Sequence, residues 1–138
     1  MGLTILDAGV LIGFLDKGDL HHDAAVREFE SARHRGDEIV IPASALAESM
    51  VAPARKGEAA LEAFREFVER FPLGVAKLDA EVAIIAAQIR AIHGPRLKLP
   101  DALVVATAIN VEAEFLVTTD RGWPANDALG FYGEVVTI

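Results

Sequence analysis

The stretch LTILDAGVLIGFLD, residues 3–16, sets an aspartate between two apolar runs. LTIL (3–6) reads as a short buried strand, and AGVLIGFLD (8–16) then carries Val10, Leu11, Phe14 and Leu15 at helical spacing. Asp7 thus marks a strand-to-helix junction. A carboxylate placed there is either a helix cap or part of a site, because a charged side chain is seldom buried unless it is paired or holds a metal.

The same alternation continues along the chain. A helix is expected over about 21–35, with Val26 and Phe29 inward, followed by the strand EIVIP (38–42), which is closed by proline. Two helices come next, about 44–56 and 58–71, the second with Leu61, Phe64, Val68 and Phe71 on one stripe. GVAKL (74–78) reads as a third strand, and Asp79 begins another helix. HGPRLKLP (93–100) reads as a loop, DALVVATAINVEA (101–113) as a buried helix, and EFLVTT (114–119) and GEVVTI (133–138) as two last strands. Strands alternating with helices predict an α/β fold, a three-layer sandwich with a central, mostly parallel five-stranded sheet flanked by helices. Strands that are apolar without alternation fit burial on both faces. With no repeat or long linker, residues 1–138 read as a single domain.

Composition narrows the classes. With 52% hydrophobic and 25% charged residues, the chain is globular rather than disordered. It has no cysteine, hence no disulfide framework, thiolate nucleophile or thiolate metal site. Its net charge of −8 is poorly suited to gripping nucleic acid by charge alone. The first basic side chain is Lys17, so the amino end lacks the basic region of a signal peptide. The longest apolar runs, such as ALVVATAI (102–109), are too short for a bilayer span. A cytoplasmic location without membrane association is expected.

In a parallel sheet the carboxyl ends of strands and the amino ends of helices share one rim, where open α/β folds bind ligands. Four acids map to that rim. Asp7 follows strand 1, Glu48 lies one turn into the helix after strand 2, Asp101 opens the helix leading to strand 4, and Asp120 follows strand 4. Each also has a plain structural reading. Asp7 and Asp101 suit helix caps or first-turn acids, Asp120 before Arg121 and Gly122 suits a turn, and Glu48 suits a solvated helix face. Together they form like charges that repel unless a cation joins them. Oxygen-only ligation suits a hard ion, Mg²⁺ or Mn²⁺. The four histidines, His21, His22, His34 and His93, lack zinc-ligand spacing and suit surface or cap roles.

In order, ILDAGVLIGFLD, IPASALAE, LPDALVVATAI and LVTTDRGW resemble the blocks of PIN-domain ribonucleases, and most of all the toxin subunit of VapBC-type toxin–antitoxin modules. The resemblance runs from about residue 3 to 123 and lies in the ordered set of blocks rather than in any one of them. It implies a PIN-like sandwich and metal-dependent endoribonuclease activity, a hydrolase cleaving RNA phosphodiester bonds with Mg²⁺ or Mn²⁺. Carried over, the acidic quartet is Asp7, Glu48, Asp101 and Asp120. Asp7, Asp101 and Asp120 would hold the ion, with Glu48 a further ligand or a water-orienting base. The chain departs from the family at Gly9, where Ser or Thr is frequent; Thr118 or Thr119 could supply the missing hydroxyl.

RNA backbone contacts could come from Arg90, Arg96, Lys98 and Arg121, which are otherwise ordinary solvated cations. The resemblance also implies a cognate antitoxin and a homodimer, with the helices over 44–71 offering a groove, while Phe64, Phe67 and Phe71 read equally well as core. A haloacid-dehalogenase-type phosphatase wants a second acid where Gly9 stands, and a receiver domain wants a late lysine, whereas the last here is Lys98. The remaining alternatives are a non-toxin metal-dependent nuclease and a PIN-fold binding module without turnover.

Overall fold

The computed structural model describes residues 2–138. Five strands form one sheet: β1 (Leu3–Leu6), β2 (Glu38–Pro42), β3 (Leu73–Ala76), β4 (Phe115–Thr118) and β5 (Glu134–Thr137). Their spatial order is β3-β2-β1-β4-β5, and every neighbouring pair is parallel. Seven α-helices connect them: α1 (Ala8–Leu15), α2 (His22–Arg35), α3 (Ala43–Lys56), α4 (Glu58–Arg70), α5 (Ala80–His93), α6 (Leu99–Asn110) and α7 (Asn126–Leu129). The expected α/β sandwich around a parallel sheet is therefore present.

Burial explains the apolar strands. Ile5, Leu6, Ile39, Ile41, Leu116 and Val117 are buried in the three inner strands, while β3 and β5 at the edges are more open. The apolar run of α6 has the same cause, since Ala102 and the segment Val104–Ala108 are buried. On the α1–α2 side, Phe14 and Phe29 stack with centroids 4.0 Å apart, and Phe67 and Phe71 pack against the pair. Phe64, Phe67 and Phe71 are thus partly buried core side chains, although α4 as a whole buries no residue completely.

Two element boundaries and one short helix depart most from the sequence reading. β3 starts at Leu73 and ends at Ala76, because its ladder with β2 pairs Ile39 with Leu73 and Pro42 with Ala76; beyond that, β2 has turned into α3. α6 begins at Leu99, so Asp101 sits in its first turn rather than opening it. Pro100 there forfeits no hydrogen bond, because first-turn amides have no intrahelical partner. α7 was not anticipated from the sequence and is one turn long. No helix among the described residues is long and apolar enough to cross a membrane.

The amino end of the sheet is locked by Asp37. Its carboxylate accepts hydrogen bonds from Gly2 N–H, the Thr4 hydroxyl and Arg35 Nε, each at 2.9 Å, and the Arg35 guanidinium lies 3.9 Å from the centre of the Phe115 ring. Burial pushes the Asp37 carboxyl up, but the donors from Thr4, Arg35 and Gly2 together with the Arg35 charge outweigh it, and the net displacement is downward. A depressed carboxyl stabilises the fold above its unfolded value, and the contribution is lost as pH falls through the lower, folded value. Asp37→Asn should therefore cost about 2 kcal/mol near neutral pH, since an amide turns a donor toward donors in a buried spot. The gap between the two denaturation curves should close in strong acid; a constant gap would contradict this account.

Candidate functional site

The carboxyl-end rim is built outward from β1 and β4, the adjacent strands where the winding of the sheet reverses. Asp7 leaves β1 with its N–H still donating to Val117 O at 2.9 Å, so its position is set by the ladder. It is 7% exposed. Oδ1 accepts the Ala8 N–H and Oδ2 accepts the Thr118 hydroxyl, both at 2.8 Å. The Thr118 oxygen in turn accepts the Asp120 N–H at 3.0 Å, and Asp120 Oδ1 accepts the Gly122 N–H at 2.7 Å. Asp7 is indeed the cap residue of α1, and Asp120 indeed closes a turn. Neither role uses all of a carboxylate's lone pairs.

Glu48 projects from α3, whose cap is Pro42, and is exposed. Asp101 is partly buried in the first turn of α6, a helix capped by Lys98 without a side-chain hydrogen bond. The four carboxylates feel one another. Burial and, less strongly, Asp120 raise the Asp7 carboxyl, against the opposing hydrogen bonds of Thr118 and Ala8. Burial and the Asp7 charge raise Glu48. Asp101 is pushed up to about 6, by burial first and then by Asp7, Asp120 and Glu48. Such a concentration of perturbed acids on one rim is typical of a functional site.

The surroundings account for Gly9. A Cβ there would run into the Thr119 hydroxyl and lie 3.2 Å from its methyl carbon, so Thr119 already fills the space of a side chain at that position. Of the candidate phosphate-binding cations, Arg96, Lys98 and Arg121 are exposed and Arg90 is partly buried. The ion pairs among the described residues are Arg35–Asp37, Arg65–Glu62 and Arg70–Glu66, so none of the four is engaged in one. Two histidines are tied to backbone carbonyls, His22 to Gly13 and His93 to Ala128. A cavity of about 790 Å³ lies at the opposite end of the sheet, beside Phe115 and Glu134, and the four carboxylates do not line it.

One residue of the rim escaped the sequence reading. Trp123, three positions after Asp120, brings its side chain against Asp101, and its buried Nε1–H makes no bond of good geometry. Its signals in the sequence are that it is the chain's single tryptophan and that it closes the block LVTTDRGW, three residues after a candidate acid. Among the described residues no three acids or histidines stand close enough together to hold a metal ion as they are placed. The donors presented are carboxylate and hydroxyl oxygens, the set that suits a hard divalent cation.

A family model of the PIN domain matches residues 4–129. Solved structures align over nearly the whole chain. The FitAcB structure from Neisseria gonorrhoeae aligns at 21% identity and a TM-score of 0.71, covering 98% of this chain and 97% of that one. A toxin–antitoxin complex from Klebsiella pneumoniae aligns at 21% identity and 0.69, covering 97% and 96%. VapC20 of Mycobacterium tuberculosis, a sarcin-ricin loop cleaving toxin, aligns at 16% identity and 0.69, covering 95% and 96%. No curated protein matches the sequence. At such identities the structural likeness speaks for the fold, and the family model, which spans most of the chain, assigns the lineage: the chain belongs to the PIN-domain family.

Proposed function

We propose that this protein is a Mg²⁺- or Mn²⁺-dependent endoribonuclease and the toxin of a type II toxin–antitoxin pair. The observation that carries the reading is the rim itself, where four mutually repelling carboxylates gather at the reversal point of a parallel sheet. Asp7, Asp101 and Asp120 hold the cation directly or through water, and Glu48 adds a ligand or orients the attacking water. A bound divalent ion supplies an ionisable water and neutralises charge on the scissile phosphate. Thr118 keeps Asp7 in place through its hydrogen bond, and Thr119 offers the hydroxyl that Gly9 lacks.

An open rim suits a polymer, which must lie across the site rather than enter a closed chamber. Arg96, Lys98, Arg121 and Arg90 contact RNA phosphates; being free of ion pairs, they have no acid to give up. The acidic net charge leaves affinity to these cations and to the bound metal. A toxin role draws support from the toxin–antitoxin complexes among the structural relatives. An antitoxin segment would lie on the α3–α4 hairpin, where Leu15, Pro53, Ala60 and Phe64 line an apolar hollow of about 310 Å³. A single domain over 1–138, a homodimer and a cytoplasmic setting complete the proposal.

Two experiments test the site. Purified wild type should cleave RNA with Mg²⁺ or Mn²⁺ and stop in excess EDTA, while folded Asp7→Asn should lose at least a hundredfold in rate, as removing a charged ligand does. Asparagine caps a helix about as well as aspartate, so equal cleavage by both proteins would sink the metal role of Asp7.

The second reads the stored repulsion. Asp101 holds its proton up to about pH 6 in the folded chain and releases it earlier when unfolded. A raised carboxyl costs nothing in strong acid; its penalty grows as pH rises through the unfolded value and is complete above the folded one. Without metal, Asp101→Asn should therefore be the more stable protein near neutral pH, by about 1 kcal/mol after allowing for solvent screening. The advantage should vanish below roughly pH 4 and shrink or reverse in excess Mg²⁺, which binds the folded wild type. An Asp101→Asn chain less stable than wild type in EDTA at neutral pH would refute it.

A further inference from the structure

Three of the four rim carboxylates differ in how they are held. Asp7 is fixed by Ala8 and Thr118, and Asp120 by Gly122. Asp101, by contrast, takes no backbone N–H or hydroxyl donor among the described residues, although it is the most perturbed acid of the set. The donor beside it is Trp123. That indole is partly buried against the core, and its Nε1–H is buried and unpartnered. Buried donors are rarely left unsatisfied, and an indole nitrogen can only donate. The backbone on either side of Trp123 is anchored: the Asp120–Gly122 turn precedes it, and buried Pro124 follows. Closing the bond therefore needs only side-chain adjustment.

We propose that Trp123 is a positioning residue of the rim, its indole N–H holding one oxygen of Asp101 and leaving the other to a divalent cation or a cation-bound water. The inference rests on the metal-site reading above and adds the donor that orients its third carboxylate. In metalloproteins, groups that orient ligands carry a measurable share of metal affinity. The aromatic body alone would account for packing. The N–H accounts for the orientation, and the two can be separated because phenylalanine keeps a ring and deletes the donor.

The test uses full-length protein and two readouts. Because the chain has a single tryptophan, isotope-labelled protein gives one indole N–H correlation in its nuclear magnetic resonance spectrum. In wild type, with and without Mg²⁺, this signal should lie downfield and exchange slowly with water; in Asp101→Ala it should move upfield and exchange faster. By calorimetry, Trp123→Phe should bind Mn²⁺ about ten- to a hundredfold more weakly than wild type while still unfolding in one cooperative transition. An indole signal indifferent to Asp101→Ala, or a folded Trp123→Phe that binds Mn²⁺ as tightly as wild type, would overturn the assignment. Should Trp123→Phe fail to fold, the resonance comparison decides alone. Absence of Mg²⁺ and Mn²⁺ binding in wild type would instead remove the metal-site reading on which the assignment rests, a result distinct from a failure of Trp123.

Discussion

The hydroxyl of Thr118 reaches Asp7 at 2.8 Å across the β1–β4 pair, joining residues 111 positions apart in the chain. This bond is possible only because parallel pairing brings the ends of both strands to the same rim, with Leu6 opposite Val117. The same threonine oxygen accepts the Asp120 N–H, so one buried hydroxyl connects the first of the four rim acids with the last. Loss of register between β1 and β4 would separate them, since a one-residue slip turns every side chain to the other face. The packed strands on either side are what make the register secure: Ile5, Leu116 and Val117 are almost wholly out of solvent.

The two ends of the sheet treat carboxylates in opposite ways. At the amino end, Asp37 has three donors around it, one of them the Arg35 guanidinium, and its carboxyl is lowered. At the carboxyl end, Asp7, Glu48 and Asp101 are raised first by burial and then by neighbouring carboxylates of the rim, with no ion pair among the described residues to relieve them. A paired acid contributes to the fold, whereas clustered acids work against it. Both arrangements occur on one sheet of one protein, and the second is the one that perturbed acids at functional sites resemble.

Much of this was legible in the residues. Strand and helix identities followed from apolar runs and helical spacing, and the rim positions of Asp7 and Asp120 followed from their place directly after strands. Less legible were features set by a partner. β3 loses Lys77 and Leu78 because β2 offers nothing to pair with beyond Pro42, which no local pattern of β3 records. α6 gains Leu99 and Pro100, which read locally as a loop until the first-turn tolerance for proline is applied. Trp123 stood in a recognised block but with no role of its own. A lone aromatic residue reads as core, and only its neighbour Asp101 gives its N–H a meaning.

By itself, then, the sequence determined the class of fold, the parallel character of the sheet and the membership of four acids in one rim, because period, apolar continuity and chain order are local properties. The tertiary structure alone decided the strand order, the mutual repulsion of the acids, the Thr118 bond between two of them and the way Thr119 occupies the space over Gly9. Each of these depends on distances between segments far apart in the chain. Such distances are set by packing of the whole core, and no window of residues contains them.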